Sequence, residues 1–322
     1  MPNAIEVEAL SKRFGDVVAL ERIDFEVPTG TVFGLLGPNG AGKTTAVRVL
    51  ATILRPDGGS ARVLGRDVVQ NEAEVRTLIG LAGQFAAVDP NLTGRENLRL
   101  AGRLAHLGSV DVRSRADELL ERFGLANAGD RTVKTFSGGM RRRLDLAEAL
   151  MHRPPVLFLD EPTTGLDIQG RSELWDMIRE LVAGETTVLL TTQYLEEADR
   201  LADRIAVVDE GKVIANDTPA ALKAKLGSTV TEIGFDSESV ASDAMGKLEG
   251  HAESVEREGK LVRLTSNEGA RWLMGVLRDL EAGGLEASSL TVRDPSLDDV
   301  FLSLTGHRAE EHKDHAPEEV SG

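Results

Sequence analysis

The sequence predicts an α/β protein built around a parallel sheet. Four apolar runs, at residues 32–36, 156–159, 187–191 and 205–208, have the continuous hydrophobicity of strands that are buried on both faces. Segments with helical periodicity lie between them, and such alternation of strands and helices is typical of a parallel sheet. A glycine-rich loop directly after the first run opens a helix, which is the third observation that favours this fold class.

Length and composition limit the classes of protein that remain. At roughly 150 residues per domain, 322 residues indicate about two domains. The net charge of −16, from 37 basic and 53 acidic residues, argues against a nucleic-acid partner and against docking on anionic lipid by charge alone. The absence of cysteine excludes disulfides, thiolate zinc sites and cysteine nucleophiles.

The chain is expected to be cytoplasmic. Its N-terminus lacks the basic stretch and apolar core of a signal peptide. No apolar run approaches the roughly 20 residues that a membrane helix needs. If the protein serves a membrane process, another chain must therefore provide the membrane-spanning part.

The first part of the chain is predicted to pass from strands into a helix. Alternating apolar residues at 5–7 and 23–27 indicate short β segments, and residues 32–36 form the first buried strand. A helix is predicted over residues 43–54, and the Arg-Pro-Asp-Gly-Gly sequence at 55–59 ends it.

The middle of the chain is predicted to be mostly helical. Periodicity indicates helices over residues 96–107, 114–123 and 138–151, and two prolines end the last of them. Further along, residues 209–212 are predicted to turn the fourth buried strand into a hairpin with residues 213–215.

The composition changes near residue 227, where a second domain is expected. We place the α/β domain at residues 1–226 and a small α+β domain at 227–306, with a strand at 261–264 and a helix at 269–283. The last residues, 307–322, are polar, with five acids against two bases and little apolar content, which predicts a disordered tail.

The glycine-rich loop matches the G-x-x-x-x-G-K-[ST] pattern of a P-loop. Its glycines let main-chain N–H groups close around phosphate oxygens, and the helix N-terminus adds its dipole. Lys43 is expected to neutralise the charge of the β- and γ-phosphates, and Thr44 to reach Mg²⁺. The alternative is a plain glycine turn between a strand and a helix. The matching residues are Gly37, Pro38, Asn39, Gly40, Ala41, Gly42, Lys43 and Thr44.

Two adjacent acids follow the apolar run at residues 156–159. In parallel α/β sheets ligands lie at the carboxyl ends of the strands, so Asp160 and Glu161 are expected beside the P-loop. Asp160 is predicted to hold Mg²⁺ through water, and Glu161 to orient or deprotonate the attacking water. The alternative is a pair of acids in a solvated turn.

A second anion site is predicted between the P-loop and Asp160. Ser137 is a good helix N-cap, and Gly138 and Gly139 leave the main chain bare at the start of the following helix. Alone, this pattern would more often be a simple helix cap. Its position upstream of the paired acids favours a role in phosphate binding.

Together these motifs resemble the nucleotide-binding subunit of ATP-binding-cassette (ABC) transporters over about residues 4–226. The resemblance implies a RecA-like core, an antiparallel β subdomain and a helical subdomain, with ATP and Mg²⁺ as cofactors. Residues 37–44 match the Walker A motif, and Asp160 with Glu161 matches Walker B and its catalytic glutamate. The residues that resemble the signature motif, which contacts the ATP of the opposite subunit, are Ser137, Gly138, Gly139 and Met140.

The resemblance assigns four further site residues. Gln84 matches the Q-loop and is assigned to the metal, and Thr45 follows Thr44 in the ATP site. Asp167, in Gly-Leu-Asp, is similar to the D-loop. Phe14 stands where the family places an aromatic ring against adenine; the alternative is an ordinary core residue.

Two departures from the family pattern bear on turnover. Met140 replaces the usual glutamine, so the reciprocal capping box with Ser137 is not available, although the serine hydroxyl and the glycine amides remain. Gln193 stands where the family has its switch histidine. Its amide can bond a γ-phosphate but cannot carry a proton or a positive charge.

These departures point to a subfamily. Residues 136–145, 191–195 and 296–302 look like the daunorubicin/doxorubicin-resistance ATPases, which are actinobacterial drug-efflux subunits. This likeness extends the resemblance to about residue 306 and implies a separate integral membrane permease and an accessory C-terminal domain. The chain is then expected at the cytoplasmic face of the cell membrane. This sequence does not identify the exported compound, because the membrane chain selects it.

The resemblance also implies a homodimer in the ATP-bound state. Each ATP would lie between residues 37–44 of one chain and residues 137–140 of the other, and residues 84–97 would pass motion to the permease. For Phe85, Val88 and Leu92, contact with that partner and burial in the helical core both stay open. The rival function is an ABC ATPase acting on ribosomes or nucleic acid, which the single P-loop and the negative charge disfavour.

Overall fold

The computed structural model describes residues 2–83, 88–225, 229–248, 250–266 and 270–305. The chain forms two compact units, and the division falls between Asp217 and Thr218. The boundary expected at residues 226–227, the Q-loop residue Gln84 and the tail predicted over 307–322 lie outside the described residues.

The first unit combines two sheets with helices. Its strands are β1 (Asn3–Phe14), β2 (Val17–Pro28), β3 (Val32–Leu36), β4 (Gly58–Val63), β5 (Arg66–Asp67), β6 (Ile79–Ala82), β7 (Val156–Asp160), β8 (Thr187–Thr192), β9 (Arg204–Asp209) and β10 (Lys212–Asp217). Its helices are α1 (Lys43–Leu50), α2 (Glu72–Leu78), α3 (Gly94–Leu104), α4 (Ser109–Arg122), α5 (Gly138–Ala149), α6 (Ile168–Ala183) and α7 (Leu195–Leu201).

The larger sheet has the strand order β10-β9-β3-β8-β7-β6. Its strands from β9 to β6 are parallel, and β10 joins the edge as the antiparallel hairpin partner of β9. Successive residues of β7 face different hydrophobic cores: Val156 and Phe158 pack into one, and Leu157 and Leu159 into the other. Burial on both faces therefore explains the unbroken apolar runs, as the sequence predicts.

The smaller sheet, in the order β2-β1-β4-β5, is antiparallel. The sequence predicts only short β segments at residues 5–7 and 23–27, whereas β1 and β2 have 12 residues each. Register shifts between Val7 and Arg13 interrupt the alternation on which the prediction depends. Gly15, with a φ of 58°, makes the tight turn between the two strands.

Several helix ends differ from the predicted ones, and two of them have clear local features. Helix α1 ends at Leu50 rather than at residue 54, and Thr52 just beyond it has a left-handed φ of 62°. Helix α3 begins at Gly94 rather than at residue 96, because a capping box precedes it. Thr93 Oγ1 accepts a hydrogen bond from the Glu96 amide, and the Glu96 carboxylate accepts one from the Thr93 amide.

The second unit is a small α+β domain. In chain order its elements are α8 (Pro219–Ala224), β11 (Thr229–Gly234), α9 (Glu238–Leu248), β12 (Ser254–Glu258), β13 (Leu261–Ser266), α10 (Ala270–Ala282), β14 (Ser289–Arg293) and α11 (Leu297–Thr305). The sheet is antiparallel in the order β12-β13-β11-β14. From β11 to β14 this is the split β-α-β arrangement of ferredoxin-like domains. None of the helices in the described ranges of the whole chain is long and apolar enough to cross a membrane.

The two faces of this sheet carry different chemistry. On one face, Ile233 and Leu264 pack with Ala244 of α9 and Leu280 of α10 in a hydrophobic core. Residues on the other face form a network of charges. Arg293 donates to both carboxylate oxygens of Asp299 on α11, at 2.6 and 2.9 Å, and also to Glu232 at 2.9 Å.

Asp299 is the acid that ties helix α11 to the sheet. The Ser296 amide and hydroxyl both donate to its Oδ2 at 2.8 Å, in addition to the bonds from Arg293. Burial alone would raise the pKa of Asp299, but the hydrogen bonds from Arg293 and Ser296 lower it to about 2. The carboxylate therefore stabilises the folded unit whenever it is ionised.

We expect Asp299→Asn to lower the free energy of unfolding of this unit by about 2 kcal/mol at pH 6. The wild-type contribution is fully present above the unfolded pKa of 3.8, and it is lost as the pH falls towards 2. Hydrogen exchange of peptides that cover β11 and β13, compared between wild type and variant at matched pH, measures the difference. Ser303→Ala on the same helix is the control. Equal protection of wild type and Asp299→Asn at pH 6 would contradict this account.

Candidate active site

The predicted P-loop connects strand β3 to helix α1. Its glycines are required by geometry at two positions. A Cβ at Gly37 would lie 2.1 Å from the Val208 carbonyl oxygen, and one at Gly42 would lie 2.3 Å from the Ala19 carbonyl oxygen. Gly42 also has a φ of 107°, which side chains rarely adopt. The loop is therefore tightly packed against neighbouring strands, with helix α1 starting immediately after it.

Lys43 places a buried cation inside this loop. Its side chain is only 4% exposed, and its Nζ donates to the carbonyl oxygens of Gly37 at 2.7 Å and Pro38 at 2.9 Å. The Glu161 carboxylate lies 3.9 Å from the same nitrogen. A positive charge in this position is suited to an anionic ligand held by the loop.

Asp160 joins the P-loop helix to the centre of the sheet. Its Oδ1 accepts hydrogen bonds from Thr44 Oγ1 at 3.0 Å and from Thr191 Oγ1 at 2.6 Å. The structure thus brings Asp160 next to Thr44, as the strand-end argument predicts. A carboxylate and a hydroxyl are hard oxygen donors of the kind that Mg²⁺ prefers, so this pair fits the expected metal.

Glu161 is held in an unusual backbone conformation. Its φ is 49°, and its amide donates to the Thr191 hydroxyl at 3.0 Å and carbonyl oxygen at 3.2 Å. The carboxylate is buried, and the Thr164 hydroxyl donates to its Oε2 at 3.4 Å. Left-handed backbone at a residue with a side chain costs energy, and it persists where the surroundings fix it. Here it directs the second acid of the pair towards Lys43.

Gln193 follows the end of β8, which is hydrogen-bonded to the P-loop. The Gly37 amide donates to the carbonyl oxygen of Thr192, the last residue of β8, at 3.2 Å. Gln193 Oε1 is a buried acceptor without a hydrogen-bond partner among the described residues. Buried polar atoms are normally satisfied, so this acceptor calls for a hydrogen-bond donor, and only the amide N–H groups of Gln193 could donate to a phosphate.

The signature residues stand at the N-terminus of helix α5. Ser137 Oγ accepts a hydrogen bond from the Met140 amide at 3.2 Å, and Ser137 and Gly138 are exposed. Met140 packs against the hydrophobic core of the helical part of the unit. Its side chain therefore contributes apolar packing, and no reciprocal capping bond forms at this helix.

Asp167 shares a cleft with the signature residues. The cleft has a volume of about 390 Å³ and is lined by Ser137 to Gly139 together with Gly165 to Asp167. None of the lining residues belongs to the P-loop. Asp167 is exposed and caps helix α6, because its Oδ1 accepts from the Gly170 amide at 2.7 Å.

The remaining predicted ATP contacts are Phe14 and Thr45. Phe14 is 47% exposed, so it is not the core residue that the alternative predicts. Lys12 Nζ lies 5.6 Å from the centre of its ring. Thr45 is the third residue of helix α1 and is half-buried.

Sequence reasoning missed two residues of this site. Thr191 bonds both acids, yet it looked like the end of an apolar strand. Arg142 is buried in helix α5 and donates to the main chain around the Asp160–Glu161 pair. The only signal for it was a run of three arginines, which is more often a solvated face.

Comparisons with known proteins show which family the chain belongs to. The family model described as ABC transporter matches residues 20–164. A daunorubicin resistance ATP-binding protein of Streptomyces coeruleorubidus is 54% identical over 304 residues, which cover 94% of this chain and 96% of that protein. The chain belongs to the ABC transporter family. It is a transporter ATPase, as the motifs imply.

Solved structures support the fold of the cassette. cbiO1 of Clostridium perfringens, part of an ABC transporter complex, has a TM-score of 0.65 at 27% identity over 70% of this chain and 92% of its own. The dimeric ATP-binding cassette MJ0796, bound to ADP and Pi, has a TM-score of 0.61 at 23% identity, over 66% of this chain and 98% of its own. The second likeness bears on the fold alone.

We expect Gln193→Ala to lower the ATPase rate roughly 5- to 150-fold, because loss of one neutral donor costs about 1–3 kcal/mol. Gln193→His should restore or raise the rate and introduce a pH dependence between about 6 and 8 that wild type lacks. The measurement is the ATPase rate against pH for the three proteins, with Glu196→Gln on helix α7 as the control. Unchanged turnover in Gln193→Ala would place this residue outside the active site.

Proposed function

We propose that this chain is the ATP-hydrolysing subunit of a drug exporter. The observation that carries the proposal is the arrangement of Lys43, Thr44, Asp160 and Glu161 around the end of strand β7. A relative that is 54% identical over nearly the whole chain is a daunorubicin resistance protein. The exported compound is therefore expected to be of the drug or antibiotic type, with its identity selected by a separate membrane permease.

ATP would be held by the P-loop residues. Main-chain amides of residues 37–45 would face the phosphates, and Lys43 would balance their charge. The exposed ring of Phe14 would stack on the adenine. Gln193 would donate its amide hydrogen to the terminal phosphate.

Mg²⁺ would be held by oxygen ligands at the junction of helix α1 and strand β7. Thr44 Oγ1 and Asp160 Oδ1 already share a hydrogen bond of 3.0 Å, so both point to one place. Gln84, which lies outside the described residues, is the third proposed ligand. The bound ion would supply charge neutralisation at the phosphates.

Glu161 is proposed to hold the proton that leaves the attacking water. Its carboxylate is buried and oriented by Thr164, and Thr191 fixes its backbone. Both features keep the base in one position, which favours proton transfer along a defined path. Lys43 Nζ lies 3.9 Å from this carboxylate, so the cation that would face the phosphates is next to the proposed base.

Two copies of the chain are proposed to close head to tail around two ATP molecules. The signature residues Ser137 to Gly139 share an exposed cleft with Asp167, and no P-loop residue lines that cleft. Each chain therefore offers two separate half-sites for phosphate: its P-loop and the cleft at Ser137 to Gly139. A second copy in reversed orientation would bring each half against the other.

The proposed membrane partner would dock on the helical part of the cassette. Three apolar side chains there are strongly exposed: Leu104 at 71%, Val110 at 78% and Leu100 at 44%. Val88 is buried in the core, which favours packing over contact with the permease. Leu92 is half-buried. Phe85 lies outside the described residues. A permease loop covering the exposed set would keep this subunit at the cytoplasmic face of the membrane.

We expect Lys43→Ala to abolish ATP binding or hydrolysis. Hydrogen bonds to a charged group contribute about 1.5–3 kcal/mol each, so the affinity for ATP should fall at least roughly tenfold. Binding of a fluorescent ATP analogue and the steady-state ATPase rate measure this, with Lys212→Ala as the control and circular dichroism as the test of folding. Retained ATP-driven efflux in Lys43→Ala would contradict the P-loop assignment.

We expect Glu161→Gln to bind ATP and lose turnover, because the amide keeps the shape of the side chain but cannot take a proton. A dimer stabilised by ATP should then accumulate in size-exclusion chromatography. The double variant Lys43→Ala/Glu161→Gln should remain monomeric. A monomeric Glu161→Gln protein under saturating ATP and Mg²⁺ would argue against the head-to-tail dimer.

A further inference from the structure

Arg142 is a buried side chain that connects three separate segments of the main chain. It lies in helix α5 and is 8% exposed. Its Nε donates to the Pro162 carbonyl oxygen at 2.7 Å, and its Nη2 donates to the Asp160 carbonyl oxygen at 3.1 Å. Its Nη1 donates to the Gly83 carbonyl oxygen and, at 3.3 Å, to Asp145.

Each of the three carbonyl groups lies at or beside a residue of the proposed nucleotide site. Asp160 bonds Thr44 through its side chain, and Pro162 directly follows Glu161. Gly83 directly precedes Gln84. Arg142 therefore holds the backbone at or directly beside Asp160, Glu161 and Gln84.

The helix that carries Arg142 begins at the other half-site. Helix α5 starts at Gly138, with Ser137 as its N-cap, and Arg142 follows one turn later. In the proposed dimer these N-terminal residues contact the nucleotide of the opposite chain. One rigid helical turn thus separates the group facing the partner's nucleotide from the group holding the chain's own site.

A guanidinium can make all of these hydrogen bonds at once, whereas an ammonium cannot. Its planar fork presents five donors in fixed directions, so it can reach three carbonyls and a carboxylate together. Burial lowers the pKa of Arg142, and the carboxylates of Asp145, Glu197, Asp160 and Glu161 oppose that effect, so the side chain stays charged. Lysine would keep the charge but could not span the same carbonyl groups.

We infer that Arg142 is a positioning residue that couples the two nucleotide sites of the dimer. When the signature residues engage the opposite nucleotide, Arg142 transmits the position of helix α5 to the backbone of Asp160, Pro162 and Gly83. This inference rests on the proposed ATP-bound homodimer. It predicts that Arg142 governs cooperativity and turnover while leaving nucleotide binding to a single chain intact.

The test compares wild type, Arg142→Lys and Arg141→Lys. Arg141 is the matched control, since it is exposed and, within the described part of the chain, its side chain donates to the Lys134 carbonyl oxygen at 3.1 Å. Two quantities are measured: binding of a fluorescent ATP analogue at protein concentrations too low for dimers, and the ATPase rate against ATP concentration at high protein. For Arg142→Lys we expect binding within about threefold of wild type, a kcat lower by roughly 5- to 150-fold, and a Hill coefficient reduced from about 2 to about 1.

A second variant tests the same role without an unpaired buried charge, which could prevent folding. Arg142→Gln/Asp145→Asn removes both members of the ion pair, which avoids leaving one charge buried alone. It should fold, bind the analogue and still lose cooperativity. Loss of single-chain binding in both variants would show a merely structural role and overturn the inference.

The remaining outcomes separate this inference from the proposed function. If wild type is active and cooperative and Arg142→Lys matches it in kcat and Hill coefficient, the coupling role is wrong while the ATPase dimer stands. If wild type itself neither binds nor hydrolyses ATP, the proposed function fails and the coupling role with it. If Arg141→Lys loses cooperativity as Arg142→Lys does, the effect belongs to the helix surface and the inference is overturned.

Discussion

The hydrogen bonds on the Asp160 carboxylate fix the geometry on which the rest of the active site depends. One oxygen accepts from Thr44 on helix α1 and from Thr191 on strand β8, so helix α1 and strands β7 and β8 meet at one atom. Thr191 also receives the Glu161 amide, which sets the left-handed backbone of the neighbouring acid. Because parallel strands end at the same edge of the sheet, this convergence follows from the strand order itself.

In the proposed dimer, this arrangement gives each chain two incomplete phosphate sites. The P-loop has a buried cation and paired acids, whereas the cleft at helix α5 has bare main chain, the Ser137 hydroxyl and Asp167. Neither group contains the other's residues. In the proposed dimer, nucleotide binding and subunit association are therefore one equilibrium, and hydrolysis weakens both together.

The sequence allowed the main elements of the fold and site to be predicted where local pattern and chemistry coincide. The apolar run before Asp160 predicts a strand that is buried on both faces, and the spacing of the loop glycines predicts the P-loop. Strand β1 could not be predicted in full, because β-bulges shift its side chains between faces. Nor could Thr191 and Arg142, because their partners are carbonyl, amide or carboxylate groups that only the folded chain brings near them.

The two departures from the family pattern are the side chains at positions 140 and 193. At position 140 the helix cap is present without the usual glutamine, because the Met140 amide donates to Ser137 Oγ. The Met140 side chain instead packs against the hydrophobic core. At position 193 a side-chain amide stands where the family pattern has histidine, and its buried oxygen has no hydrogen-bond partner among the described residues. What changes there is the charge, since an amide donates as a neutral group at every physiological pH. Turnover in this chain is therefore expected to depend on Glu161 and its fixed backbone more than on a titrating switch.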